Sequence, residues 1–391
     1  MPSLCPNPDV CGSCGWSHIP YPKQLQQKLS DINGSFAIKK LDLQVNDILP
    51  SPVTEHYRNR MDFVIDWQGA VGLREKGKWW KVIDNHPCFL ADKQIDDLFV
   101  VARDWAKTCG LSFYDRKANT GILRYAVIRS TTLNETMLII VTSAPADAVE
   151  EASVKAALEK LSDKATTVVW SINHTVSDVS YGDELRVISG PGVIEEEICG
   201  FKYRLSPNAF FQTNPHGAAR LLETVRDFAG DLTDKTLLDL YCGTGFFAVA
   251  LAKDAKKTIG VELVPEATKD ARVNAELNGV EVEFHDAPTE KFDWMKIGAD
   301  VVILDPPRAG MHDKALQDVI AAKPETIVYI SCNYKNFARE MVMLQVYYEV
   351  ESIRAIDMFP HTPHVELVTK LVRRPPVEEV EAASAEEEPA Q

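Results

Sequence analysis

Of the eight cysteines in this 391-residue chain, Cys332 stands where a nucleophile would. It closes Ile327-Val328-Tyr329-Ile330-Ser331-Cys332-Asn333, an apolar run of strand character,. A residue leaving the carboxyl end of a parallel strand faces the crevice where such sheets bind ligands. Cys109 and Cys199 lack that setting and read as small core residues. Another apolar run ends in Asp305-Pro306-Pro307-Arg308, and Glu366 heads the last one, in His361-Thr362-Pro363-His364-Val365-Glu366-Leu367. A carboxylate at the head of a buried strand is costly unless it is used or hydrogen-bonded, so Glu366 reads as a general base. His364 competes with it, and spacing does not choose between them. A second constellation is Cys5-x5-Cys11-x2-Cys14, with Gly12 and Gly15 letting the backbone fold around an ion. Zinc and an iron–sulfur cluster both suit such thiols and both need a fourth ligand; Cys88, in Asn85-His86-Pro87-Cys88-Phe89, is the best candidate.

From about residue 235 the pattern is strand, turn, helix, repeated, which predicts a mostly parallel sheet covered on both faces. Strands are predicted at Thr236 to Tyr241, Thr258 to Leu263, Asp300 to Asp305 and Thr326 to Ser331, with helices at Phe246 to Lys253 and Pro265 to Leu277,. The first turn, Tyr241-Cys242-Gly243-Thr244-Gly245, lets the backbone approach a ligand at the start of a helix,. Glu262 ends the second strand and suits the two hydroxyls of a ribose. Asp286, after the third, could accept from an adenine amino group. These features serve dinucleotides and S-adenosylmethionine alike. Asp305-Pro306-Pro307 separates them, because methyltransferases with this sheet place such a sequence between cofactor and target base. Adenine N-methylases follow the prolines with an aromatic residue; Arg308 moves the target away from an exocyclic amine.

Residues 60 to 145 alternate in short runs, as in Met61-Asp62-Phe63-Val64-Ile65, and predict an antiparallel sheet,. A helix is expected near Pro22 to Leu29 and another near Asp147 to Leu161. A strand is expected at Thr167 to Ile172, and a hairpin over Asp183 to Gly200 around Ser189-Gly190-Pro191-Gly192. The expected fold is α/β: a Rossmann-like S-adenosylmethionine methyltransferase domain over 206–374. An α+β antiparallel-sheet domain over 51–205 precedes it, after a cysteine-rich segment over 1–50 that suits zinc or an iron–sulfur cluster, and an acidic disordered tail occupies 375–391. The net charge of −15 is uneven: residues 1 to 130 hold 17 Lys and Arg against 14 Asp and Glu. An RNA surface therefore belongs on the N-terminal third, where His56-Tyr57-Arg58-Asn59-Arg60, Arg124 and Arg129 mix rings with cations, and Arg74, Lys76, Lys78 and Lys81 interleave with Trp79 and Trp80,. The chain lacks a run of ~20 apolar residues that would span a membrane and lacks a secretory signal, so a cytoplasmic protein with reduced thiols is expected.

A thiol near a carboxylate and a methyl donor has a specific use. Carbon 5 of uracil is too weak a nucleophile to attack a methylsulfonium unaided. A thiolate adding to carbon 6 makes an enolate whose carbon 5 can attack, and a base then removes the carbon 5 proton so that the thiolate can leave. Asp305-Pro306-Pro307-Arg308-Ala309-Gly310, a sixteen-residue spacer and Ile327 through Asn333 resemble the signature of the RNA uracil-5 methyltransferase family. His364-Val365-Glu366 resembles its second signature, and Phe210-Phe211-Gln212-Thr213-Asn214-Pro215 a third shared segment. The resemblance covers about residues 5 to 373. It implies Cys332 as nucleophile, Glu366 as proton acceptor, and Gln212, Tyr241, Gly243, Glu262 and Asp305 around S-adenosylmethionine. It also implies a 4Fe-4S cluster on Cys5, Cys11, Cys14 and Cys88, and RNA contacts by Tyr57, Arg58 and Asn59. One position departs: Asn336 replaces the family's threonine, and a small loss of helix-capping geometry is expected. A start almost at Cys5 leaves no room for the oligonucleotide-binding barrel of longer members. That gives an expectation of the short cluster-bearing branch acting on large-subunit (23S) ribosomal RNA, as a monomer. Transfer RNA is the alternative substrate. A methyltransferase for another acceptor and a non-catalytic iron–sulfur RNA-binding protein are the competing functions.

Overall fold

The computed structural model describes Cys5, residues 10–85 and residues 88–375; the tail expected to be disordered lies outside these apart from its first residue, Pro375. The cysteine segment leads into helix α1 (Tyr21–Ile38), with proline in its first turn. Gln24, Lys28, Ile32 and Phe36 are buried at four-residue spacing, the stripe of a helix lying on a core,. The helix outruns the predicted Leu29 because Ile32 and Phe36 continue that stripe. Strand β1 (Ile48–Leu49) follows.

A seven-stranded sheet comes next, built from β2 (Arg60–Ile65), β3 (Val71–Glu75), β4 (Lys78–Asp84), β5 (Leu123–Ser130), β6 (Thr136–Ser143), β7 (Thr167–Asn173) and β8 (Glu184–Ser189). Its order is β4-β3-β2-β5-β6-β7-β8. Helices α2 (Lys93–Thr108) and α3 (Ala148–Glu159) pack on it. The expected antiparallel pairing holds except between β6 and β7, which run parallel through the α3 crossover. The expected hairpin around Gly190 is not formed. Strand β8 pairs with β7, and β9 (Ile194–Ile198) pairs with β10 (Phe201–Leu205). The tight turn is Cys199-Gly200, both at positive φ (52° and 79°), the geometry that matches strand twist in a two-residue hairpin,.

The C-terminal half runs α4 (Pro215–Ala229), β11 (Thr236–Leu240), α5 (Phe246–Leu251), β12 (Lys257–Glu262), α6 (Pro265–Leu277), β13 (Glu283–Asp286), β14 (Val301–Leu304), α7 (Asp313–Ala322), β15 (Thr326–Ser331), α8 (Tyr334–Leu344), β16 (Tyr348–Ile356) and β17 (Glu366–Arg373). The sheet order is β1-β16-β17-β15-β14-β11-β12-β13. Strands β11 to β15 are parallel, and β17 is antiparallel to β15 and β16. Strand order reverses between β11 and β14, which opens a crevice at the carboxyl ends. Strand β1 pairs with β16, and Ile32 and Phe36 of α1 join the core of this sheet. The first fifty residues are therefore shared: the thiols at one end, a helix and a strand built into the C-terminal half. No helix among the described residues is long and apolar enough to cross a membrane.

The firmest tie is ionic. Lys28 Nζ lies 2.6 Å from Asp357 Oδ1, both side chains fully buried, and also donates to Phe359 O at 3.1 Å. Breaking a buried pair strands the remaining charge, at a cost of about 3–5 kcal/mol. Lys28→Met should lower stability by about that much in urea titration; a loss below about 1 kcal/mol would show that the neighbourhood reorganises.

Candidate active site

Asp305 leaves the end of β14, Cys332 the end of β15, and Glu366 begins β17. These strands are neighbours, and β17 runs antiparallel, so its start lies at the same edge as the other two ends. All three residues line one cleft of about 1650 Å³, with Arg308 and His364. Burial pushes the Cys332 thiol up to about 11, and the carboxylates of Glu366 and Asp305 add to this, while the Arg308 guanidinium pulls the other way. Burial raises Asp305 to about 7. Glu366, 6% exposed, is held well above the usual carboxylate range by burial and then by Asp305. Burial and the cations of Arg308, Lys28 and Arg58 keep His364 below the ordinary imidazole value. At neutral pH the Cys332 thiol keeps its proton and the His364 imidazole is uncharged, while Glu366 is displaced toward its protonated form.

The Arg308 loop is clamped from α8. Its carbonyl accepts from Asn333 Nδ2 at 3.1 Å and from Asn336 Nδ2 at 2.8 Å. The expected loss at Asn336 is therefore corrected: Asn333 caps α8 by accepting from Lys335 N–H at 3.2 Å, and the longer amide at 336 reaches a carbonyl in the Arg308 loop. Gly310 (φ 86°) sits so close to Glu340 that a Cβ would lie 2.2 Å from Oε1.

The cleft continues to the glycine turn. Tyr241, Gly243 and Gly245 all have positive φ (67°, 53° and 82°). Glu262 braces this turn, accepting from Gly243 N–H at 3.0 Å and Val264 N–H at 2.9 Å. Gln212, Tyr241, Gly243, Glu262 and Asp305 line the cleft as expected; Asp286 does not. Its carboxylate is exposed and turned to Arg272 Nη2 at 2.9 Å, so the reading of Asp286 as an adenine acceptor is corrected. Pro288, Thr289 and Glu290 form that wall instead. Sequence reading also passed over Asp239, fully buried beneath the turn, whose Oδ2 accepts from Ala248 N–H at 3.0 Å. An acid inside an apolar strand was its signal. A carboxylate at the end of β12, a turn with open space at Gly243 and the volume of the cleft together fit an adenosyl ligand.

Three of the expected RNA contacts face inward. Tyr57 is 2% exposed and donates to Pro360 O at 3.1 Å. Asn59 is buried and donates to Glu196 Oε2 at 3.3 Å. Arg124, 1% exposed, donates to Thr175 O at 2.8 Å and to Ser177 O, with its guanidinium 4.4 Å from the Tyr114 ring centroid. Tyr57 and Asn59 precede β2, and Arg124 is passed over in the pairing of β5 with both its neighbours, so sequence alternation did not say which face was covered. Arg58 is half-buried beside the cleft, where its charge acts on His364. Cys5, Cys11, Cys14 and Cys88 are all buried and share one apolar cluster. Burial pushes Cys14 up to about 12, and the charges of Cys5, Cys88 and Cys11 add to that. Among the described residues no three Cys, His, Asp or Glu side chains stand in the arrangement of a metal site.

Only the thiolate alkylates, so the rate of Cys332 modification by iodoacetamide should climb through the alkaline range. Removing the neighbouring negative charge in Glu366→Gln should move that profile to lower pH. Arg308→Gln removes the opposing cation and should move it higher. Peptide mass spectrometry across a pH series reads both; unshifted profiles would mean that these charges do not reach the sulfur.

The chain matches the family described as tRNA (Uracil-5-)-methyltransferase over residues 20–374. It is 37% identical over 377 residues to an uncharacterized RNA methyltransferase of Caldanaerobacter subterraneus subsp. tengcongensis, covering 94% of this chain and 84% of that protein. It is 38% identical over 363 residues to the tRNA (uracil(54)-C(5))-methyltransferase of Pyrococcus furiosus, covering 93% and 83%. Among solved structures, the tRNA (uracil-54, C5)-methyltransferase of Pyrococcus abyssi in complex with S-adenosyl-L-homocysteine superposes with a TM-score of 0.79 at 34% identity, over 93% of this chain and 85% of that one. With Cys332, Asp305 and Glu366 gathered at one sheet edge and the match running through both halves, the chain belongs to the RNA uracil-5-methyltransferase family.

Proposed function

We propose that this enzyme methylates carbon 5 of a uridine in transfer RNA through a covalent bond between Cys332 and carbon 6. The observation that carries the reading is the convergence of Cys332, Asp305 and Glu366 in a cleft that runs on to the glycine turn and Glu262. S-adenosylmethionine, when bound, supplies an electrophilic methyl group and a positive sulfonium. Gln212, Tyr241, Gly243, Glu262 and Asp305 would hold it. Cys332 releases its proton to solvent and its sulfur adds to carbon 6; the electron pair moves to carbon 5, which takes the methyl group as the methyl–sulfonium bond breaks to leave a neutral thioether. Glu366, once ionised, removes the carbon 5 proton, and the carbon–sulfur bond breaks to restore the double bond. Glu366 is favoured over His364 because its charge is the one that acts on Cys332. Turning the uridine out of its stack costs a few kcal/mol, less for a base in a loop.

The expectation of large-subunit ribosomal RNA gives way to transfer RNA on the strength of the relatives. The relatives from Pyrococcus furiosus, Pyrococcus horikoshii and Pyrococcus abyssi are named for transfer RNA. Cys5, Cys88 and Cys11 lie near enough to Cys14 for their charges to act on it; drawn together from the positions they hold here, which do not form a metal site among the described residues, the four would hold a 4Fe-4S cluster joining residues distant in sequence, with zinc the alternative. Its place among apolar side chains beside β3 and α2 suits a structural role, in the reducing cytoplasm.

Incubation with S-adenosylmethionine and 5-fluorouridine-substituted transfer RNA should give a denaturant-stable protein–RNA complex, since fluorine does not leave as a cation. Cys332→Ala should abolish it, and Glu366→Gln should trap a methylated adduct with unsubstituted RNA. Trapping with ribosomal RNA alone would return the substrate to the ribosome; trapping with neither would overturn the uracil reading. Anaerobically purified protein should contain iron and acid-labile sulfide in equal amounts, lost in Cys14→Ser; zinc in their place would exclude the cluster.

A further inference from the structure

Side chains with free aromatic faces and nearby cations occur together at the edge of the seven-stranded sheet. Strands β3 and β4 pair in step from Gly72–Asp84 to Arg74–Val82, and then the register jumps so that Glu75 meets Lys78. Trp79, Trp80 and Lys81 consequently have no backbone pairing partner on β3 and stand out from an edge strand. Bulges of this kind re-aim side chains. Both indoles are more than half exposed, 54% and 53%, and lie edge to face with centroids 5.9 Å apart. On a regular strand two successive residues point to opposite faces, and one would be covered by the sheet's own packing; here neither is. Lys76, Lys78 and Lys81 surround the pair; Glu75, the single acid between residues 75 and 81, pairs with Lys78 and, at 2.6 Å, with Lys81, so a phosphate would take those two ammonium groups in competition with one carboxylate. The hairpin has a firm base. Lys76 N–H donates to Val10 O at 2.7 Å, Gly12 N–H to Arg74 O at 3.3 Å, and Cys11 bridges Glu75, so the cysteine segment runs beside it.

We propose that Trp79 and Trp80 form a stacking surface for unpaired bases of the substrate RNA, outside the methylation cleft, with Lys76, Lys78 and Lys81 meeting the adjoining phosphates. This rests on the reading of the chain as an RNA methyltransferase. Indole faces accept any base, and lysines beside them track the backbone, the combination by which single strands are held without sequence preference. Charge selects RNA over a second copy of the chain: a twofold contact through this patch would set the lysines against themselves. On a chain of net charge −15 a patch with three lysines and one acid is also where a polyanion meets the least repulsion,.

The test is filter binding of an unmodified transfer RNA transcript by the full-length protein. The double variant Trp79→Ala/Trp80→Ala should bind on the order of tenfold or more weakly, the loss of base stacking, whereas Trp79→Phe/Trp80→Phe should keep most of the affinity. Replacing Lys76, Lys78 and Lys81 by Gln should flatten the dependence of log affinity on log salt by about 2, from ~0.7 per single-strand phosphate contact. Thermal midpoint and S-adenosylhomocysteine affinity, measured alongside, verify that the variants are folded. Wild-type affinity and salt slope in the variants would overturn the proposal, as would a wild-type dimer that the double alanine variant converts to monomer. Methyl transfer to the same transcript is assayed separately. Methylation with unchanged binding removes this surface alone, while weakened binding without methylation keeps the surface and removes the uracil reading.

Discussion

Three groups that become anions when they ionise share one cleft, and their burial there sets the chemistry of the site. Cys332, Asp305 and Glu366 converge where water is largely excluded, so each resists ionising; Asp305 adds to this at Cys332 and Glu366, and Glu366 adds to it at Cys332. Burial disfavours the charged form of each, and a positive ligand in the cleft would favour both the thiolate and the carboxylate. Arg308 already acts this way on Cys332, and the asparagine pair on α8 holds its loop in place.

Keeping those groups together requires that the strand ends not drift, and the N-terminal elements see to this. Helix α1 grips the segment before β17 through the Lys28–Asp357 pair, and Gln24 reaches both His361 Nδ1 at 3.0 Å and the His361 N–H at 2.7 Å. Trp16 N–H donates to His361 O at 3.1 Å, so the cysteine segment touches the same loop. Tyr57 adds a bond from the other sheet to Pro360. The loop leading to His364 and Glu366 is therefore fastened from both halves of the molecule, which explains why the motif-rich tyrosine near residue 57 is buried and structural.

Some of this was open to reading in the amino-acid order, and some was not. The parallel strands were legible because each is a short apolar run bounded by turn residues, and helix α6 was legible from proline at one end and glycine past the other. Cys332, Asp305 and Glu366 were legible because strand ends place side chains at a crevice whatever the rest of the chain does. Glu262 was legible for the same reason, although its bracing of the glycine turn was not. The pairing of β8 and β9 was misread because glycines mark a bend without naming the strands that meet across it. Asp286 was misplaced because a carboxylate at a strand end has no way to announce that Arg272, one helix away in sequence, will claim it.

By itself, then, the sequence determined the order of most elements and the places of Cys332, Asp305, Glu366 and the glycine turn at strand ends, since all of these follow from local periodicity and from where strands stop. Only the tertiary structure decided which aromatic and basic residues remain exposed. Tyr57, Asn59 and Arg124 have the composition of a nucleic-acid surface, yet packing of neighbouring loops and strands over them turns their polar atoms toward backbone carbonyls and Glu196. Trp79 and Trp80 have the composition of a core, yet a three-residue slip in register leaves them outside. Exposure depends on what lies across the fold from a residue, and that information is held in contacts between segments far apart in the chain.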